Sequence, residues 1–165
     1  PRIARKALVH GHCHHKVIMK MNAEEAVLTR MGMDFDSPAP GCCGMAGAFG
    51  FENDKYEISR EIGELELLPA VRDASPETLI ISNGFSCREQ ISQETGRHAL
   101  HLAEVIQMGL RQVGEPIPEQ YPEHVSVRRR EKDIQASMRR SGWAIAALAA
   151  SSALLWGLSS RRSRE

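Results

Sequence analysis

The stretch Ala7-Leu8-Val9-His10-Gly11-His12-Cys13-His14-His15 decides the fold of this chain. Ala7-Leu8-Val9 reads as a short buried strand that delivers a run of histidines around a cysteine at its end. Side chains with ligand chemistry then stand at a strand's carboxyl edge, the usual position of a site in an open α/β sheet. The apolar run follows Pro1 almost at once. The strand is therefore expected to be entered from a preceding domain, and the sequence to be a segment of a longer chain.

Working outward, Asn22 with Glu25 resembles a capping box, and Ala23, Ala26, Val27 and Met31 continue at helical spacing up to Gly32. A helix is expected over 23–31. The turn-forming run Asp36-Ser37-Pro38-Ala39-Pro40-Gly41 leads into Cys42-Cys43-Gly44-Met45-Ala46-Gly47, which places two adjacent cysteines in or beside a glycine-rich bend. Asp54 and Glu57 give another cap signal, and Ile58, Ile62 and Leu65 form one face of a helix that Pro69 ends or kinks. Thr78-Leu79-Ile80-Ile81 is a second buried strand by length and β-branched content. Ser86 and Glu89 repeat the capping pattern and put Cys87 in the first turn of a helix, where unpaired amides and the helix dipole favour a thiolate. A further helix over 99–112 carries Leu102, Val105, Ile106 and Gly109 on one side. This alternation predicts an α/β fold, a short parallel sheet flanked by helices.

The chain has 165 residues, 42% hydrophobic and 25% charged, a globular composition with room for one domain and an appendage. Formal charge is zero but unevenly spread: residues 1–127 carry 12 Lys/Arg against 18 Asp/Glu, and residues 128–165 carry 9 against 3. An acidic body lacks the clustered cations that phosphate neutralisation needs, which argues against nucleic acid as a partner. No charged and apolar leader opens the sequence, so a cytoplasmic location is expected. Four cysteines without such a leader read as thiolates for metal or redox chemistry rather than as a disulfide framework.

Cys13, Cys42/Cys43 and Cys87 come from three separate loops, as the thiolates around an iron–sulfur cluster do, and their separations are too long for a zinc-knuckle pattern. Each cysteine alone also fits as a small buried hydrophobe. Taken in order, His10-Gly11-His12-Cys13-His14-His15-Lys16, then Gly41-Cys42-Cys43-Gly44-Met45-Ala46-Gly47-Ala48-Phe49-Gly50-Phe51-Glu52, then Asn83-Gly84-Phe85-Ser86-Cys87-Arg88-Glu89-Gln90-Ile91 resemble the CCG cysteine-rich domain. The version most resembled ends bacterial FAD-linked oxidases fused to iron–sulfur modules, proteins similar to D-lactate, glycolate and D-2-hydroxyglutarate dehydrogenases. The likeness covers about 6–110.

The resemblance implies that Cys13, Cys42, Cys43 and Cys87 hold an iron–sulfur cluster, 4Fe–4S in type. It further implies that upstream flavin and ferredoxin-like domains or subunits pass electrons to or from it. FAD belongs to those upstream parts, so this segment by itself is not expected to be catalytic, and no catalytic residue is assigned. A related domain in heterodisulfide reductases ends its cysteine set with Cys-x-x-Cys, whereas here Gln90 stands at that spacing after Cys87. Four thiolates suffice for a cubane or for zinc, so zinc remains the alternative metal, with a noncatalytic assembly module as the alternative function. His12 and His14 are candidates for metal or substrate contact, and Lys16, Arg88 and Arg97 for contact with an anion or a negatively charged cluster. Each of these five has a plainer role as a solvated or packed side chain.

The organisation expected is a metal-binding domain over 1–113, a proline-rich then basic linker over 114–141, a hydrophobic helix over 142–158 and a basic tail over 159–165. Residues 142–158 carry no charge, and as a helix they reach ~25 Å against a hydrocarbon core of ~30 Å. Trp143 and Trp156 near the ends and arginines on both flanks favour attachment to the cytoplasmic membrane, spanning or interfacial, over packing on a subunit.

Overall fold

The computed structural model describes residues 1–37, 41–112, 114 and 116–162, with side chains described through Ala153. Three short strands, β1 (Lys6–His10), β2 (Asp34–Asp36) and β3 (Leu79–Ser82), form one sheet in the order β2-β1-β3. Both pairings are parallel: Ala7 faces Phe35 on one side and Leu79 on the other, and the second ladder runs on to His10 opposite Ser82. Among the described residues of the same compact unit five α-helices, α1 (Asn22–Arg30), α2 (Tyr56–Glu64), α3 (Leu67–Asp73), α4 (Phe85–Thr95) and α5 (Leu102–Arg111), stand beside a π-helical turn at His15–Met19 and a 3-10 turn at Phe49–Phe51. The α/β class read from the sequence is the one observed.

Strand periodicity builds two cores, because successive side chains leave a strand on opposite faces. Ala7, Val9, Leu79 and Ile81 pack on one face with Leu28 of α1 and Val105 and Met108 of α5. Leu8 and Ile80 pack on the other with Leu67 and Val71 of α3 and Ile91 of α4. Cys43 and Cys87 belong to this second core. A sheet covered on both faces explains the continuous apolar run of β3, all four of whose residues are buried.

Several boundaries differ from the sequence reading, each for a local reason. Strand β2 was not anticipated: Asp34-Phe35-Asp36 has one apolar residue, and its backbone is recruited by the exposed edge of β1. Pro69 lies in the first turn of α3, where its missing N–H is tolerated. The break falls upstream at Leu65–Glu66, because the proline ring cannot pack on the carbonyl of Leu65 in a continuous helix. Helix α5 starts at Leu102 because Leu100 is used by the sheet, its N–H donating to Ile80 O and its carbonyl accepting from Ser82 N, both at 2.9 Å. The capping box there is His101 with Glu104, while neither Asn22 nor Ser86 caps its helix.

The compact unit runs from Pro1 to Val127, and the segment 116–124 is fastened to it by two arginines. Arg5 donates to the carbonyls of Ile117 and Glu119. Arg97 Nε donates to Glu123 Oε1 at 2.7 Å and its Nη2 to Thr78 O at 2.7 Å, and its guanidinium lies 5.2 Å from the Tyr121 ring. Arg97 is 7% exposed and Glu123 fully buried, so each charge depends on the other. A long helix, α6, covers His124–Arg162, including the basic stretch expected to be a linker. Its own second unit, from Arg128 on, leaves Trp143, Ile145 and Leu148 exposed. Among the described residues no helix is long and apolar enough to cross a membrane; the side chains of 154–158, in the expected apolar segment, lie outside the described residues.

The Arg97–Glu123 pair can be tested directly. Glu123→Ala leaves a buried guanidinium without its carboxylate and is expected to lower the unfolding free energy by about 3 kcal/mol, read as a drop in the urea midpoint. A loss of only a few tenths would show that the main-chain carbonyls around Arg97 suffice to hold it.

Candidate functional site: a thiol cluster at the sheet's carboxyl edge

Each parallel strand ends toward the same edge, and each leads to a cysteine: β1 to Cys13, β2 to Cys42 and Cys43, β3 to Cys87 in the first turn of α4. The four thiols meet there as two pairs. Cys13 Sγ lies 3.8 Å from Cys42 Sγ near the surface, and Cys87 Sγ donates to Cys43 Sγ at 3.3 Å in the core. All four cysteines are free; Cys13 is exposed and Cys43 and Cys87 are buried.

Two glycines make this convergence sterically available. Gly44 has φ +85°, and a Cβ there would lie 1.9 Å from the Ser59 carbonyl oxygen, so the bend after the paired cysteines presses directly on α2. The Gly44 amide donates to Cys42 Sγ at 3.3 Å. At Gly84 a Cβ would meet His12 Cδ2 at 2.7 Å and Cys87 Sγ at 3.0 Å. The missing side chain thus lets the His12 loop close over the start of α4.

Electrostatics separates the two core thiols. The hydrogen bond from Cys87, with help from the Met45 amide and against the cost of burial, brings the Cys43 thiol down to about 6. Cys87 moves the opposite way: donating to Cys43 holds its proton, and burial reinforces this, although the Ser82 hydroxyl approaches the sulfur and favours thiolate. The thiolate expected at Cys87 from its helix position is therefore found at Cys43, because the neighbouring sulfur outweighs the dipole at the helix start. Cys13 is also raised, first by burial and then by Cys42, with Lys16 opposing.

The accessory residues divide. Lys16 stands at the site, its Nζ donating to Gly41 O at 3.3 Å beside Cys42. His12 lines the wall next to Cys87, and its ring lies 6.5 Å from that of His14, which is exposed. Arg88 turns back on the end of β3, donating to Ser82 O at 3.2 Å and Asn83 O at 3.0 Å. Arg97 is not brought to the thiols, being engaged with Glu123. Three residues not singled out from the sequence flank the site: His10, which burial, Lys16 and His12 hold neutral down to about pH 4, and the linked pair Glu24 and Asn83. His10 ends β1 and Asn83 directly follows β3, polar positions that the apolar periodicity of those strands does not mark.

Among the described residues no group of three or more His, Cys, Asp or Glu side chains stands as a ready-made metal cage. The donor chemistry nevertheless suits a thiophilic metal: two sulfurs bound at ~2.3 Å to one tetrahedral ion lie ~3.8 Å apart, the separation of Cys13 and Cys42, while Cys43 and Cys87 are closer.

Fold and site thus define a small parallel α/β domain with a convergent thiol cluster. Curated proteins named D-2-hydroxyglutarate dehydrogenase are similar to it: that of Pseudomonas putida at 34% identity over 99 residues, that of Escherichia coli at 31% over 93, and that of Pantoea ananatis at 34% over 77. These alignments take in 58%, 55% and 47% of this chain and 9%, 9% and 7% of the relatives, so the chain corresponds to less than a tenth of their length. No protein-family model and no solved structure matches the chain.

The split between the core thiols predicts a titration. In the reduced, metal-free protein one thiolate is expected to appear in ultraviolet absorbance with a midpoint near pH 6, and to vanish in Cys43→Ser. Because the folded value lies below the ordinary 9, the associated stability is complete above pH 9 and is lost as pH falls through 6. A first thiolate appearing only near pH 9 would remove the Cys43 assignment.

Proposed function

We propose that this chain is the thiolate-ligated electron-transfer module of a flavin-dependent 2-hydroxy-acid dehydrogenase, acting with FAD-bearing and ferredoxin-like parts outside it. The observation that supports the reading most is the arrival of Cys13, Cys42, Cys43 and Cys87 at one sheet edge from three separate strand ends. Similarity to D-2-hydroxyglutarate dehydrogenases makes D-2-hydroxyglutarate the leading substrate for the whole protein. An iron–sulfur cluster, when bound, supplies a one-electron relay.

The residues' own parts follow from their placement. Cys43 is the thiol most ready to ligate, since its proton is already loosened. Cys87 must release the proton it shares, so loading is expected to liberate protons. The Gly44 amide donates to Cys42 Sγ, and Lys16 favours charge on Cys13. Exposed Cys13 and His14 leave one side of the site open toward a partner, while the second core closes the other.

Zinc is favoured as a second reading by the Cys13–Cys42 separation alone, and would make the domain an assembly module. Anaerobic purification of the chain separates the two. Brown protein with iron and acid-labile sulfide is expected, and Cys→Ser at any of the four positions should remove the colour and lower thermal stability, because binding and folding free energy are shared in such sites. Colourless protein with stoichiometric zinc would replace the electron-transfer reading by the assembly one.

The exposed Trp143, Ile145 and Leu148 with the arginines before them suit an interfacial contact with anionic membrane. Full chain is then expected to sediment with anionic vesicles, and a chain ending at Val127 to remain in solution. Equal partition of the two forms would remove the tail from any membrane role.

A further inference from the structure

The outer thiols have a chemistry that metal binding does not use. Cys13 Sγ lies 3.8 Å from Cys42 Sγ, both cysteines are free, and Cys13 is exposed while Cys42 is half-buried. Each sulfur has a neighbour that favours its thiolate. Lys16 acts on Cys13, against burial and Cys42, which raise it, and the Gly44 amide donates to Cys42 Sγ at 3.3 Å. The inner sulfurs are nearer still, at 3.3 Å, but Cys43 is 4% exposed and Cys87 0%. Thiol–disulfide exchange begins with attack of a thiolate on a disulfide sulfur, so it needs access as well as proximity. Of the two pairs, the outer one has both.

We propose that Cys13 and Cys42 form a reversible oxidation site in the metal-free chain, closed to an intramolecular disulfide by a low-molecular-weight disulfide such as glutathione disulfide. The Cys13 thiolate attacks one sulfur of glutathione disulfide; a Cys13–glutathione bond forms, the glutathione S–S bond breaks and one glutathione thiolate leaves. The Cys42 thiolate then attacks Cys13 Sγ, forming the Cys13–Cys42 bond and expelling the second glutathione thiolate. Two protein thiols are oxidised, their two electrons reduce glutathione disulfide, and their two protons end on the two glutathione thiols. The bond ties the loop after β1 to the loop after β2 and withdraws Cys13 and Cys42 as donors. It does not depend on which metal the thiols take. Its effect on loading rests on the thiolate-ligation reading above: the oxidised chain refuses metal that the reduced chain accepts.

The full chain, stripped of metal, reduced and freed of reductant, is incubated anaerobically with glutathione disulfide. Its remaining thiols are then alkylated and the peptides mapped by mass spectrometry, with fragmentation to separate Cys42 from Cys43. One disulfide joining Cys13 to Cys42 is expected, with Cys43 and Cys87 alkylated. Cys42→Ser lacks the resolving thiol and should instead accumulate glutathione on Cys13. A Cys43–Cys87 or Cys42–Cys43 disulfide in the unmodified chain, glutathione persisting there on Cys13, or four alkylated cysteines would overturn the proposal. Loading is read separately. The oxidised chain is expected to lose the uptake of iron and sulfide, or of zinc, that the reduced chain shows, and to regain it with dithiothreitol; equal loading of both forms would overturn the effect on the site. A reduced chain that takes up neither metal would sink the ligation reading instead, while the mapped disulfide still decides the oxidation site.

Discussion

Parallel pairing of β1 with both neighbours is the constraint on which the rest of this structure depends. A parallel sheet sends all its carboxyl ends to one edge, so the loops leaving β1, β2 and β3 emerge side by side. Cysteines separated by 28 and 43 intervening residues become neighbours for that reason alone. The two glycine contacts then reduce the remaining distance. Gly44 lets the paired-cysteine bend lie on the Ser59 carbonyl, and Gly84 lets the His12 loop settle over Cys87. Sheet direction provides the coarse placement and absent side chains provide the fine one.

This placement has a chemical consequence for the inner pair. Cys43 and Cys87 are held in an apolar core, where two negative thiolates 3.3 Å apart are strongly disfavoured, so the pair keeps one proton. The asymmetry then follows from the hydrogen bond that Cys87 donates, reinforced by backbone amides, which together favour charge on Cys43. An outer pair at 3.8 Å, reachable from solvent at Cys13, completes the set. The arrangement combines one thiol already inclined to ionise, one that holds its proton, and an accessible face.

Features determined by short-range pattern were legible in the sequence. The apolar runs of β1 and β3, the helix around Ile58 and Ile62, and the position of Cys87 in a first helical turn are all local in origin. Convergence of the cysteines could be anticipated from strand ends, but the division into an inner and an outer pair could not, since it depends on which sulfurs the core encloses. Strand β2 is not legible locally, because Asp34-Phe35-Asp36 has no strand signature of its own and exists through its partner. The Ser86 and Asn22 caps failed for a different reason. Ser86 instead donates to Gly47 O at 3.1 Å, a contact with the cysteine bend that no local rule contains.

Arg97 shows most clearly where pattern reading stops. Considered as a side chain, a guanidinium near cysteines suits an anion, and it sits ten residues after Cys87. In the fold, α4 intervenes, and the arginine emerges beyond Gly96 on the side where the chain returns after α5. There it meets a glutamate that is itself fully buried and that lies in a stretch whose prolines read as linker. Neither charge could be left in that environment without the other. Segment 116–124 is consequently part of the domain's stability rather than a tether to α6. Composition alone marks proline-rich stretches as spacers, and it takes a buried ionic partner, distant in sequence, to convert one into structure.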